Sequence, residues 1–514
     1  MSYRILGIFF ASLVLFTLGL SQQEIIGFES RFYLFALEMW RHGPSWFPLT
    51  YEQAYPDYPG TTTFFIYVLA KCVGHLNKLV AVLPSAIAAS LTVVYTYKIG
   101  ALRSERWGFY AACFLFLTNM FVMEARTISP DQFVAMVTTI AFYLVAAHDL
   151  GKKTSLVYLP FLLALGFACR GPIGLVVPAG VLCVHYLLEP NYRKVLRVGI
   201  MALIILLVMS ALLFAVAYHT GGIAFVQDVL RMEVVGRMQD AHLPWYFYGV
   251  ESLGAYALTY PLAILVFLGL WHREKSEDLR FLCQLVGWVL VILIGLSIPA
   301  GKKIRYLLAF APALSLISAY LFVGKENSLY WKCLRKCVQA ILIFLPLIMG
   351  FALYVILPMK NLGTMIYFYM AALVVLQVLS MSFRNRYAVV LGAAAVTFVL
   401  TTICIVEPIN LKINATHDFV EQVEVLRHDE GALLAFYQEH ADALPIKYMA
   451  NMEVDVVPIF LEDQNSLLLL PESVFIITSY DHFFALPAWR TDKFHIVAIG
   501  NIGHEMVIVF QRKH

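Results

Sequence analysis

Apolar stretches long enough to cross the hydrocarbon layer of a bilayer recur from one end of this chain to the other, and each crossing helix needs about 20 residues. They lie near residues 5–22, 77–97, 107–123, 131–147, 156–169, 172–188, 198–217, 252–271, 280–298, 304–323, 338–357, 364–382 and 387–406. The pattern predicts about thirteen spans, so length here counts membrane helices and not soluble domains. Composition agrees: 61% of residues are hydrophobic and 14% charged, against about 45–50% and about 25% in soluble chains. The first run, Ile5 to Leu20, follows Arg4 and lacks a small-x-small cleavage site, which predicts a retained signal anchor.

Cations sort the two sides. Lys98, Arg103 and Arg106, then Lys152 and Lys153, then Arg193, Lys194 and Arg197 occupy short loops on the same side as Arg4. So do Arg273, Lys275 and Arg280, then Lys325, Lys332, Arg335 and Lys336, then Arg384 and Arg386. The positive-inside rule makes that side cytoplasmic. An odd span count then puts the C-terminus outside. The net charge of +3 and the absence of a long basic tract exclude nucleic acid as a partner. Most of the eight cysteines fall in apolar runs and read as small buried hydrophobes. Cys333 and Cys337 lack the further ligands that a zinc site needs.

The expected fold is an all-α polytopic membrane domain over residues 1–409, with outer segments at 23–76 and 218–251. A small extracytoplasmic α/β domain follows over residues 410–514. Within that tail, Thr416 to His428 reads as a helix, while Val454 to Leu461, Val474 to Ser479 and His495 to Gln511 read as strands, the last broken near Gly500 and Gly503. In the first outer segment, Phe32 to Trp40 reads as an amphipathic helix that can lie in the interface.

Ionisable residues at membrane depth are costly, so those on the outer side are functional candidates. Glu29 and Arg31 stand in the first outer segment, followed by Asp57 and Tyr58 in Tyr55-Pro56-Asp57-Tyr58-Pro59-Gly60. Two carboxylates one loop apart can serve as general base and positioning acid, although Asp57 between prolines also suits an ordinary turn. Lys302, Lys303 and Arg305 break the charge bias in a short outer loop. Three cations there suit a lipid phosphate. Further candidates are Arg126, beside the possible caps Ser129 and Asp131, together with Arg231, Arg237 and His242 ahead of Pro244-Trp245-Tyr246. Arg170 reads as a snorkelling side chain. There is no P-loop, Rossmann glycine pattern, zinc-protease motif or nucleophile elbow. The residues require no cofactor; a divalent metal is left open.

The order of these motifs resembles the GT-C glycosyltransferases, in the branch joining protein O-mannosyltransferases (family 39) and lipid A aminoarabinose transferases (family 83). Gly27-Phe28-Glu29-Ser30-Arg31-Phe32 with Glu38-Met39 is similar to their first outer motif, and Lys302-Lys303-Ile304-Arg305-Tyr306-Leu307 to their basic loop. His242 with Pro244-Trp245-Tyr246 is similar to a later outer motif. Two departures stand out. Phe28 replaces the leading aspartate, and Asp57-Tyr58-Pro59 replaces a Glu-Lys-Pro pattern, removing a lysine. The resemblance implies inverting transfer of a sugar from a polyprenyl-phosphate donor to lipid A, another glycan or a protein, at the periplasmic face of the inner membrane. Glu29 or Asp57 would be the base, and Arg31, Lys302, Lys303 and Arg305 would hold the donor phosphate. The rival reading is a transporter or flippase of lipid-linked sugars, against which stands the lack of a visible repeat.

Overall fold

The computed structural model describes residues 3–57, 60–232, 243–270, 277–356, 365–487 and 491–513. Tyr58, Arg237 and His242 of the candidate set, and Arg273 and Lys275 of the basic loops, lie outside the described residues. The chain divides into two compact units.

The first unit comprises Met1–Leu18, Pro56–Thr62 and Val82–Val406 and is helical. Seven described helices are long and apolar enough to cross a membrane, or up to nine if each of two bent pairs is one span. The bends are 74° between Glu105–Phe116 and Asn119–Ala125, and 112° between Phe247–Ala255 and Thr259–Leu268. Four more expected runs form shorter apolar helices: Tyr3–Thr17, Leu156–Arg170, Pro172–Leu188 and Ile366–Ser382. Every expected run is thus helical among the described residues, and length and composition qualify seven to nine of these helices as spans against the thirteen expected.

Large aromatic residues anchor this core with their polar edges satisfied. Trp107 Nε1 donates to the Leu316 carbonyl at 2.8 Å, and Trp288 Nε1 to that of Ala309 at 3.0 Å. Some hydroxyls inside helices bond back one turn, as Thr92, Thr96, Thr138 and Thr139 do, which gives those buried O–H groups a partner in an apolar setting.

One helical hairpin matters for the site. The helix ending at Arg170 turns at Gly171, with φ 61 and ψ −151, into the helix that starts at Pro172. That conformation is open to glycine. Beyond the turn the two backbones touch: a Cβ on Gly166 would lie 2.1 Å from the Gly174 carbonyl oxygen, and one on Gly174 would lie 1.9 Å from that of Gly166. Small residues permit this approach. The hairpin fixes where Arg170 stands.

The second unit comprises Gly19–Tyr55, Thr63–Ala81 and Glu407–His514. Helix Glu29–His42 is followed by a two-residue hairpin, β1 (Leu49–Thr50) and β2 (Gln53–Ala54), whose turn residues Tyr51 and Glu52 have φ 53 and 63. The tail carries helix Thr416–Glu430 and a five-stranded sheet of β3 (Leu433–Tyr437), β4 (Ile459–Leu461), β5 (Val474–Ser479), β6 (Phe494–Ile502) and β7 (Glu505–Arg512). Strand order is β4-β3-β5-β7-β6; β3 pairs in parallel with β4 and β5, while β7 pairs antiparallel with β5 and β6. The expected strand at Val454–Leu461 shrinks to three residues, and β3 was not foreseen. The core of this unit joins Ile25 and Leu34 of the first outer segment to Val420, Leu434, Phe436 and Tyr448 of the tail.

Candidate functional site

The helical unit gathers its buried charges around the start of helix Pro130–Asp149. Asp131 receives Arg170 through two contacts, Nε to Oδ1 at 2.9 Å and Nη2 to Oδ2 at 3.3 Å. Arg305 Nε lies 3.4 Å from the same Oδ2. Asp131 and Arg170 are almost wholly buried, with side chains 3% and 2% exposed. The Tyr306 ring lies near both guanidiniums, 5.3 Å from Arg170 and 5.9 Å from Arg305. Arg170 is therefore an ion-pair partner and not a snorkelling side chain, because Gly171 turns the chain and leaves the guanidinium facing the bundle interior. Ser129 does not cap its helix with its side chain. Its hydroxyl bonds the Glu124 carboxylate, and its N–H donates to Ser85 Oγ at 3.0 Å.

The basic loop leads into a 3₁₀ turn, Ile304–Phe310, clamped by two tyrosines. Lys303 N–H donates to Tyr248 Oη at 3.2 Å, and Tyr256 Oη donates to the Ile304 carbonyl at 3.3 Å. Lys302 is buried and its Nζ reaches the Leu243 carbonyl at 3.0 Å, whereas Lys303 is exposed. A loop held at its backbone keeps its cations in place without reorganisation, which is what binding a phosphate oxyanion asks of it. Asp57 is buried, in the Pro56–Thr62 segment of this unit.

Arg126 does something else. Only 1% exposed, it donates to the Leu15 carbonyl at 2.9 Å and the Leu18 carbonyl at 2.7 Å, satisfying the last orphan acceptors of the first helix. Arg231 is exposed at the end of helix Tyr192–Leu230, beyond a kink at Gly221 and Gly222.

In the second unit, Glu29 opens its helix and pairs with Lys78, Nζ to Oε1 at 2.6 Å; Lys78 also donates to the Glu24 carbonyl at 2.8 Å. Both side chains are buried. Arg31 does not join them, and its guanidinium lies 5.5 Å from the centre of the Tyr55 ring. Phe28, where the resemblance expects aspartate, packs edge-on against Phe32 at 5.0 Å. Sequence reasoning missed Lys78, although its position at the head of an apolar run was a signal, since a cation there breaks the charge bias. It also read Asp131 only as a cap.

Asp149, His185 and Glu189 could hold a metal by spacing. Lys194 Nζ already stands 2.6 Å from Asp149, and Gln284 donates to Glu189 at 2.8 Å, so those ligands are engaged.

The profile of the dolichyl-phosphate-mannose-protein mannosyltransferase family matches residues 57–219. The undecaprenyl phosphate-alpha-4-amino-4-deoxy-L-arabinose arabinosyl transferase of Pectobacterium carotovorum is 24% identical over 314 residues, covering 57% of this chain and 54% of that protein. A protein of Aquifex aeolicus is 25% identical over 316 residues, 60% of this chain and 59% of its own length. The chain thus spans a little over half of these relatives. Among solved structures, ArnT from Cupriavidus metallidurans bound to undecaprenyl phosphate superposes with TM-score 0.71 at 16% identity, over 99% of this chain and 98% of that one. The Archaeoglobus fulgidus oligosaccharyltransferase AglB, in complex with an inhibitory peptide and a dolichol-phosphate, gives 0.51 at 11% identity over 93% of this chain and 69% of its own. The chain thus shares the fold of the ArnT structure and is similar in sequence, over part of its length, to the arabinosyl transferase and protein-mannosyltransferase relatives.

Proposed function

We propose that this chain is a multi-pass membrane glycosyltransferase that moves a sugar from a polyprenyl-phosphate donor to an acceptor of the cell envelope, at the periplasmic face. The observation that carries the reading is the clamped basic loop with Lys302, Arg305 and Tyr306 beside the buried Asp131–Arg170 pair. Cations held at membrane depth are expensive, and a lipid phosphate is a partner that repays them. The match to an ArnT structure with undecaprenyl phosphate supports the same donor class.

In this reading the acceptor hydroxyl attacks the anomeric carbon from the face opposite the phosphate. The new carbon–oxygen bond forms as the bond to the phosphate oxygen breaks, and the electron pair leaves on the polyprenyl phosphate. Lys302, Lys303 and Arg305 take up the developing charge. Asp57, buried in the same unit as the basic loop, is our candidate base and takes the acceptor's proton. Glu29, in the other unit, is held by Lys78 at 2.6 Å. Inversion at the anomeric carbon follows from a single displacement. Lipid A, another envelope glycan and protein are the acceptor classes to test.

Purified protein in liposomes with a defined undecaprenyl-phosphate sugar and each acceptor class tests the proposal. Transfer to one of them is the expected result. Movement of the lipid-linked sugar across the bilayer without transfer to any acceptor would favour the transporter and end this reading.

A further inference from the structure

Helix Glu29–His42 carries Glu38 and His42 four residues apart, so the two side chains share one stripe of its surface. Asp455, from the tail within the same unit, meets them there. His42 Nε2 lies 3.1 Å from Asp455 Oδ2 and 3.7 Å from Glu38 Oε2, and the three ligand atoms all lie within 4.8 Å of one another. Glu38 is 3% exposed, and its Oε2 has no hydrogen-bond partner among the described residues. An acceptor buried in that state is costly unless something occupies the space before it.

The neighbouring donors engage other atoms. Arg41 Nη1 stands 3.3 Å from Asp455 Oδ1 and 4.0 Å from Glu38 Oε1, while its Nη2 is tied to the Met452 and Glu453 carbonyls at 3.2 and 3.0 Å. The Glu52 backbone N–H, delivered by the left-handed turn at Tyr51 and Glu52, also bonds the Glu38 carboxylate. Arg41 therefore orients both carboxylates from behind, as outer partners of metal ligands do. Two carboxylates against one guanidinium leave one net negative charge facing an imidazole.

We propose that Glu38, His42 and Asp455 form a binding site for a divalent transition-metal ion, zinc by chemistry, pinning helix Glu29–His42 to the 451–458 loop. Tetrahedral zinc with bonds of about 2.0–2.2 Å separates its ligand atoms by roughly 3.3–3.6 Å, and the observed 3.1 and 3.7 Å bracket that spacing. An imidazole ligand disfavours magnesium and calcium, which take oxygen. His42 and Asp455 are 34% and 40% exposed, which leaves a path for the ion and a fourth position for water. The site takes no part in the transfer step and does not depend on the function proposed above.

Full-length protein, purified in detergent and stripped with a chelator, is titrated with zinc against a chromophoric competitor, with elemental analysis for stoichiometry. The expected result is one competing equivalent whose affinity falls at least tenfold in His42→Gln and in Asp455→Asn, both partly exposed changes that the fold tolerates. Zinc should raise the unfolding midpoint of the unmutated protein and not of either variant. Protection of His42 from diethyl pyrocarbonate by zinc, read by mass spectrometry, needs no variant at all. No zinc bound by the unmutated chain, absence of that protection, or zinc lost in His185→Ala but retained in both variants would each overturn the site.

Discussion

Asp131 holds two arginines in surroundings where water cannot substitute for it, so its removal shows what the cluster is worth. Asp131→Asn keeps the shape and leaves the Arg170 and Arg305 charges without it, and breaking a buried pair in this way costs about 3–5 kcal/mol. A fall in the unfolding midpoint in detergent, with Arg170→Met in the same background restoring part of it, is the expected outcome. At the second cluster, Glu29→Gln and Lys78→Met should each lower stability or transfer, with the double variant no worse than the poorer single one, because each single change strands the other partner. A double-mutant cycle on transfer rate checks this. The basic loop was legible from sequence because Lys302, Lys303 and Arg305 break a charge rule at consecutive positions. Their partners were not, since the Asp131–Arg170 and Arg305 contacts join residues far apart in the chain and nothing local announces them. Lys78, a lone cation at the head of an apolar run, carries a weaker signal of the same kind than three cations in one short loop.

The helical hairpin around Gly171 is the element that aims Arg170, and it depends on the Gly166–Gly174 approach. Gly166→Ala must move a backbone, since the new carbon would lie 2.1 Å from a carbonyl oxygen. Overpacking of this kind costs about 1–3 kcal/mol. Transfer should fall together with stability in Gly166→Ala, while Gly180→Ala, where the added carbon meets Val291 at an ordinary 3.5 Å, should leave both near normal. Thermal melts and transfer rates of the two variants separate the cases. Helix positions were readable from hydropathy alone, including this pair, because apolar runs between Gly and Pro punctuation define them. The bends of 74° and 112° were not. A run of apolar residues looks the same whether it crosses straight or folds back, and the turn is decided by packing against helices elsewhere in the chain.

At the scale of the whole molecule, the charge pattern predicts which side each loop faces, and that determines where chemistry takes place. Cys333 and Cys337 are exposed near the start of helix Leu329–Ile356, in a basic stretch that the charge pattern assigns to the cytoplasm. An impermeant thiol reagent on intact cells should leave them unlabelled and label a cysteine introduced at Asp463 in the tail; the reverse pattern would invert the topology and the compartment of the reaction. The tail's sheet was legible where strands were long, as at Val474–Ser479, and not at Leu433–Tyr437, a short apolar stretch that sequence alone cannot tell from the end of a helix. The central claim is that a carboxylate of this chain activates an acceptor against a lipid-linked sugar, and Asp57→Asn tests it most directly. The measurement is the rate of transfer from a defined undecaprenyl-phosphate sugar by the variant relative to the unmutated protein, with folding and donor-lipid binding recorded alongside. The account predicts a fall of about 100-fold or more in turnover with lipid binding retained. Transfer by a folded Asp57→Asn protein at the unmutated rate would contradict it.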